Sequence, residues 1–173
     1  MVSDTTRMLT LLRHAKSAWP DVPDQERPLA KRGRRDAPRI GRWLRDRGYV
    51  PDAVVCSDAR RTRQTWKLVA PELGGSPSVS FEPRAYDASA LTLLYLAREL
   101  PGQCRAGLLI GHNPGISDLA TCLARWPAGD SSSEPPELLL PTAGVAVFQF
   151  AGEWPGLGPG QARLLDFVVP ADL

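Results

Sequence analysis

Histidine is scarce in this chain: 173 residues hold only two, His14 and His112. Lysine is nearly as rare, at Lys16, Lys31 and Lys67, so arginine carries almost all the positive charge. The three cysteines, Cys56, Cys104 and Cys122, are odd in number, far apart and without a Cys-x-x-Cys pair. That spacing argues against a disulfide framework or a zinc site, and for buried thiols. No apolar run reaches the length of a membrane span. The opening residues, Met-Val-Ser-Asp-Thr-Thr-Arg, lack the basic start, apolar stretch and small-residue cleavage site of a signal peptide. A cytoplasmic protein is expected. No heptad pattern or exposed apolar stripe stands out, so a monomer is the default. A Walker glycine loop, a kinase signature and a Gly-x-Ser-x-Gly elbow are all missing, which removes several common nucleotide and serine-hydrolase chemistries. Net charge is only +2, and no aromatics interleave with the basic clusters at 31–35 and 60–63. A basic nucleic-acid-binding module is therefore a remote alternative.

What remains is the composition of a globular domain, 43% hydrophobic and 23% charged. One domain over 1–173 is expected, with a flexible N-terminus over 1–7. Strand-like and helix-like segments alternate. This predicts an α/β domain, three layers with a mainly parallel central sheet. Strands are expected at 8–12, 53–56, 79–81, 107–110, 145–150 and 162–169. Helices are expected at 31–47, 61–70, 90–100 and from Ile116 onward. Pro38 requires the first helix either to begin there or to kink, and Gly48 fits the C′ position after it. Residues 125–136 are polar and proline-broken, a mobile loop and the one candidate lid. Residues 151–160 read as a hairpin loop.

Both histidines fall where strands are expected to end. In open α/β sheets ligands sit beyond the carboxyl ends of the strands. His14 follows Arg13 in Leu-Leu-Arg-His-Ala-Lys-Ser. His112 opens Gly-His-Asn-Pro-Gly at 111–115, where Asn113 suits an N-cap and Pro114 the first helical position. A third strand end carries Ser57-Asp58-Ala59-Arg60-Arg61-Thr62-Arg63, where Ser57 or Asp58 can cap the next helix and one arginine can enter the crevice. Two imidazoles and two guanidiniums at neighbouring strand ends suit phosphoryl transfer. The arginines grip the equatorial oxygens, and a neutral imidazole is an in-line nucleophile. Two histidines without a cysteine or carboxylate cluster make a weak metal site, and no cofactor is expected.

These segments, with Arg-Pro-Leu-Ala-Lys-Arg-Gly at 27–33, Ala-Tyr-Asp-Ala-Ser at 85–89 and Pro-Thr-Ala-Gly at 141–144, resemble the histidine phosphatase superfamily. That is the phosphoglycerate-mutase-like fold, and within it the resemblance is to the SixA branch of protein phosphohistidine phosphatases. It runs in order over nearly the whole chain. It implies that His14 takes the phosphoryl group, that Arg13, Arg61 and His112 hold it, and that a phosphorylated protein, such as a histidine-containing phosphocarrier or phosphotransfer domain, is the substrate. A small-molecule phosphomonoesterase with the same nucleophile is the rival. For the general acid the resemblance points to Asp87, with Glu82 as rival. Lys16, Ser17, Arg27 and Asn113 are expected to bind substrate. Two positions depart from the family pattern: Ala15 replaces a common glycine, and Asp58 a common proline.

Overall fold

A computed structural model describes residues 5–126 and 136–173. Residues 1–4, and 127–135 of the expected loop with its role as a lid, lie outside the described residues. The sheet is built from β1 (Thr6–Arg13), β2 (Ala53–Ser57), β3 (Ser78–Glu82), β4 (Ala106–Gly111), β5 (Val145–Ala151) and β6 (Arg163–Val168). Their order is β3-β2-β4-β1-β5-β6. The first four are mutually parallel, and β5 runs antiparallel to both β1 and β6. The mainly parallel sheet expected from the alternating pattern is present.

Four helices cover the two faces: α1 (Lys31–Asp46), α2 (Arg60–Leu73), α3 (Ala90–Arg98) and α4 (Gly115–Leu123). The period-2 pleat of the strands explains the layering. Along β1, Leu9 and Leu11 join a core with Leu93, Leu96, Ile116 and Leu119 of α3 and α4. Leu12 turns the other way, to Ala37, Ile40 and Leu44 of α1 and Trp66 and Val69 of α2. β4 divides likewise, Leu109 to the first core and Leu108 and Ile110 to the second. Strands buried on both faces read as continuous apolar runs, which is why they were legible.

Several boundaries differ from expectation. The flexible N-terminus does not extend over 5–7. Thr6 and Arg7 belong to β1, and the buried Arg7 guanidinium donates to the Gly102 carbonyl (2.7 Å) and pairs with Glu153. α1 does not begin at Pro38 but runs through it. Its buried face, including Ala37, Ile40, Gly41 and Leu44, offsets the roughly 3 kcal/mol that an internal proline costs. Gly48 does stand at C′ with φ 75°, and Tyr49 N–H closes onto the Leu44 carbonyl at 2.8 Å in a Schellman motif. The hairpin loop after β5 contains a short 3-10 turn, Trp154–Gly156, whose Trp154 is fully buried and donates to the Cys104 carbonyl (2.9 Å). Cys56 and Cys104 are buried free thiols and Cys122 is half-buried. Among the described residues no helix is long and apolar enough to cross a membrane.

Candidate active site

β1 and β4 are adjacent and in register, with Arg13 opposite Gly111. The residues that follow, His14 and His112, therefore emerge side by side, and His14 N–H bonds the Gly111 carbonyl at 3.1 Å. Their ring centroids are 5.2 Å apart. β2 lies on the other side of β4, so Ser57 at its end reaches His112: Ser57 Oγ is 2.7 Å from His112 Nε2. Arg61 stands on the first turn of α2, and Tyr86 follows β3. The Tyr86 ring meets His112 edge-on at 5.6 Å, and the Arg61 guanidinium lies 5.9 Å from that ring. The structure thus brings together Arg13, His14, Arg61 and His112 at the carboxyl ends of three parallel strands.

The loop after His14 is held from two sides. Ala15 N–H donates to Thr65 Oγ1 (3.0 Å), and a Cβ on Gly33 of α1 would stand 2.2 Å from the Lys16 carbonyl oxygen. Only glycine lets α1 approach this closely. His14 Nδ1 lies 2.8 Å from the Ala15 carbonyl. A carbonyl only accepts, so the proton sits on Nδ1 and Nε2 keeps its lone pair. On His112, Ser57 Oγ accepts from Ala59 N–H (3.4 Å) and has its own hydrogen to give to Nε2 at 2.7 Å; in the tautomer that takes it, the ring hydrogen sits on Nδ1. His112 Nδ1 has no internal partner, and neither do the buried Nε atoms of Arg13 and Arg61. Buried donors without partners are costly. Three of them gathered at these strand ends fit an oxyanion ligand.

Burial sets the charge states. His14 is 7% exposed and its pKa is pushed down to about 3, by desolvation first and then by His112, Arg61 and Arg13, against the Ala15 bond. His112, 6% exposed, is pushed down to about 4 by desolvation and then Arg61. Both rings are neutral at pH 7. An unfolded chain protonates them near pH ~6.5, so below that pH the unfolded state binds more protons and stability falls as pH falls. Each ring contributes about 1.4 kcal/mol per pH unit between ~6.5 and its folded value. Urea unfolding of wild type is expected to lose stability steeply from pH 6.5 to 4.5, and of His112→Asn less steeply by about that amount per unit. Equal slopes would contradict a buried neutral His112.

Sequence reasoning missed Asp24, in a 3-10 turn at Asp24–Glu26. Its carboxylate accepts from Tyr86 Oη (2.6 Å), Arg27 Nη1 (2.9 Å) and Arg61 Nη2 (3.1 Å), and its carbonyl from Arg61 Nη1 (2.8 Å). The Tyr86 and Arg27 hydrogen bonds, with Arg61, hold the Asp24 carboxyl well below the usual range. No pattern marked Asp24, which lies in an irregular loop. In the sequence Ser57 is legible only as a helix-cap candidate, and Tyr86 stands in the segment that the resemblance singles out for Asp87.

Other expectations are revised. Neither Ser57 nor Asp58 side chain makes the N-cap bond of α2, whose N-cap is Ala59; Asp58 accepts from Gln25 (3.0 Å) instead. Asn113 does not cap α4, and Pro114 is itself the N-cap residue, joined to Asn113 by a cis peptide bond. Asn113 donates to the Leu140 carbonyl (2.9 Å) and accepts from Ser117 (2.5 Å), while Arg13 Nη1 donates to that same carbonyl (3.2 Å). Ser17 Oγ accepts from Arg27 Nη2 (2.6 Å), and Arg27 also donates to the Ala18 carbonyl and stacks 3.3 Å from the Trp19 ring centre. Ser17, Arg27 and Asn113 are thus engaged within the protein, whereas Lys16 is exposed. Asp87 is exposed with φ 52°, one residue beyond Tyr86. Hydrogen bonds from Arg84 hold the Glu82 carboxyl below its usual range.

The histidine phosphatase superfamily (branch 1) profile matches residues 9–87. An uncharacterized protein of Mycobacterium tuberculosis is 38% identical over 161 residues, covering 92% of this chain and 99% of its own. A solved structure from Nakamurella multipartita, proposed to be the phosphohistidine phosphatase SixA, is 33% identical with a TM-score of 0.82, covering 95% of this chain and 96% of that one. A second SixA structure of the same proposed kind, from Agrobacterium tumefaciens, is 28% identical with a TM-score of 0.76 and covers 95% and 98%. The chain belongs to the histidine phosphatase superfamily, in its SixA-type branch, and is a histidine-nucleophile phosphatase.

Proposed function

We propose that the protein hydrolyses a phosphorylated histidine on a partner protein through a covalent phosphohistidine at His14. The observation that carries this is the free Nε2 of a neutral His14 beside three buried donors without partners, on Arg13, Arg61 and His112. His14 Nε2 attacks phosphorus in line as the bond from phosphorus to the substrate imidazole breaks; the electron pair goes to the departing nitrogen, and the substrate ring, carrying a hydrogen on its other nitrogen, leaves as neutral imidazole. Arg13, Arg61 and the His112 Nδ1–H carry the charge on the equatorial oxygens. Water then attacks the phosphorylated His14, inorganic phosphate leaves and the neutral ring returns.

The acid side of the site favours a P–N substrate. Asp24 and Glu82 are both held as carboxylates by arginine and tyrosine partners, which leaves Asp87 as the expected donor, exposed on its loop. An imidazole leaves readily because its conjugate acid has a pKa near ~6.5, whereas an alkoxide needs a delivered proton. Lys16, exposed two residues after the nucleophile, is the residue expected to meet a protein substrate at the rim of the site. The proposal is of a cytoplasmic, monomeric enzyme that needs no cofactor.

The test compares phosphate release from a histidine-phosphorylated carrier protein with release from an aryl phosphate. Fast release from the protein and slow release from the ester is expected. The reverse would move the substrate to small phosphoesters. Asp87→Asn is expected to slow phosphohistidine turnover less than about tenfold and the ester more; abolition of both would contradict the leaving-group argument.

A further inference from the structure

Outside the catalytic cluster, a groove of about 810 Å³ lies between the 24–26 turn, the exposed face of α2 and the edge strand β3. Its apolar lining includes Trp66, Pro71 and Phe81, the last 40% exposed. Along α2 the spacing 60, 63, 67 puts Arg60, Arg63 and Lys67 on one helix face, all exposed and all lining the groove. Arg63 lies 4.7 Å from the Phe81 ring centre. Among the described residues none of these three cations is in an ion pair. The groove's two acids, Glu26 and Asp58, stand at its end beside the 24–26 turn.

The groove and the active site share a wall. In the first turn of α2, Arg61 faces the site and Arg60 the groove. In the 24–26 turn, Asp24 binds Arg61 while Gln25 and Glu26 line the groove. A small phosphoester in the site would not reach past this wall. A protein would, because an ordinary interface covers about 800 Å² per partner. We propose that this groove docks the phosphorylated protein substrate through an acidic, partly apolar helix face, its carboxylates meeting Arg63 and Lys67 and an apolar side chain lying between Trp66 and Phe81. This rests on the phosphohistidine-protein reading above. Unpaired cations beside an apolar floor suit such a face, and complementary charge also steers encounter.

The experiment is steady-state turnover by wild type and Arg63→Glu/Lys67→Glu, on a histidine-phosphorylated carrier protein and on an aryl phosphate, at low and high salt. Neither residue belongs to the catalytic cluster. KM for the phosphoprotein is expected to rise about tenfold with kcat nearly unchanged, its salt dependence to flatten, and aryl phosphate turnover to stay within about twofold. An unchanged phosphoprotein KM and salt dependence would overturn the docking groove and leave the substrate class standing. No phosphoprotein turnover by wild type would overturn both. If the double variant loses both activities, Lys67→Glu alone, on the exposed helix face, decides by the same split in KM.

Discussion

Replacing His14 by alanine is expected to lower phosphatase turnover by at least about 10⁴-fold on any substrate the enzyme accepts. Among the described residues no other group is set to take its place. Its Nδ1 hydrogen bond to the Ala15 carbonyl fixes the attacking nitrogen, and burial keeps that nitrogen unprotonated at pH 7. His112 cannot substitute, because its Nε2 is engaged by Ser57. Catalytic groups that act as one unit are strongly non-additive. The His14→Ala/His112→Ala double variant should therefore be scarcely slower than His14→Ala, and additive losses in single-turnover measurements would contradict a shared transition state.

Arg61→Ala should follow, with a loss of about 10²–10³-fold in kcat, the range for removing one preorganised donor from a buried oxyanion site. Arg61 is 6% exposed, and two of its nitrogens are used on Asp24. Asp24 aims it as well as neutralising it. Lysine at this position places a single ammonium where a planar fork stood, so Arg61→Lys should recover only part of the loss. The fold should survive, because Asp24 retains Arg27 and Tyr86. Full recovery by lysine would reduce the role of Arg61 to charge alone.

The frame of the site was readable because its chemistry obeys local rules. Apolar runs buried on both faces mark β1 and β4, and each is followed directly by one of the chain's two histidines. What no local pattern contained was the strand order. β4 inserts between β1 and β2, and that long-range pairing alone sets His14 against His112 across 98 positions of sequence. Asp24 was invisible for a related reason. Arg27 is three residues away, but its other partners, Arg61 and Tyr86, are 37 and 62 residues away, and the turn that presents it has no periodicity. Asn113 misled in the opposite direction. Asn-Pro-Gly ahead of a helix satisfies the capping rules, yet the side chain is drawn to Leu140 and Ser117, where it supports the carbonyl that Arg13 also uses. Pro38 shows the same override, a local breaker outweighed by the buried face of α1.

The measurement that bears most directly on the central claim is rapid-quench trapping of the enzyme during turnover of a ³²P-histidine-phosphorylated carrier protein. Labelled enzyme that is acid-labile and alkali-stable, with the label on the peptide containing His14 and none on His14→Ala, is the predicted result. Label on another residue, or turnover of the phosphoprotein by wild type with no enzyme-bound phosphate at any quench time, would contradict a phosphoryl group passing through His14.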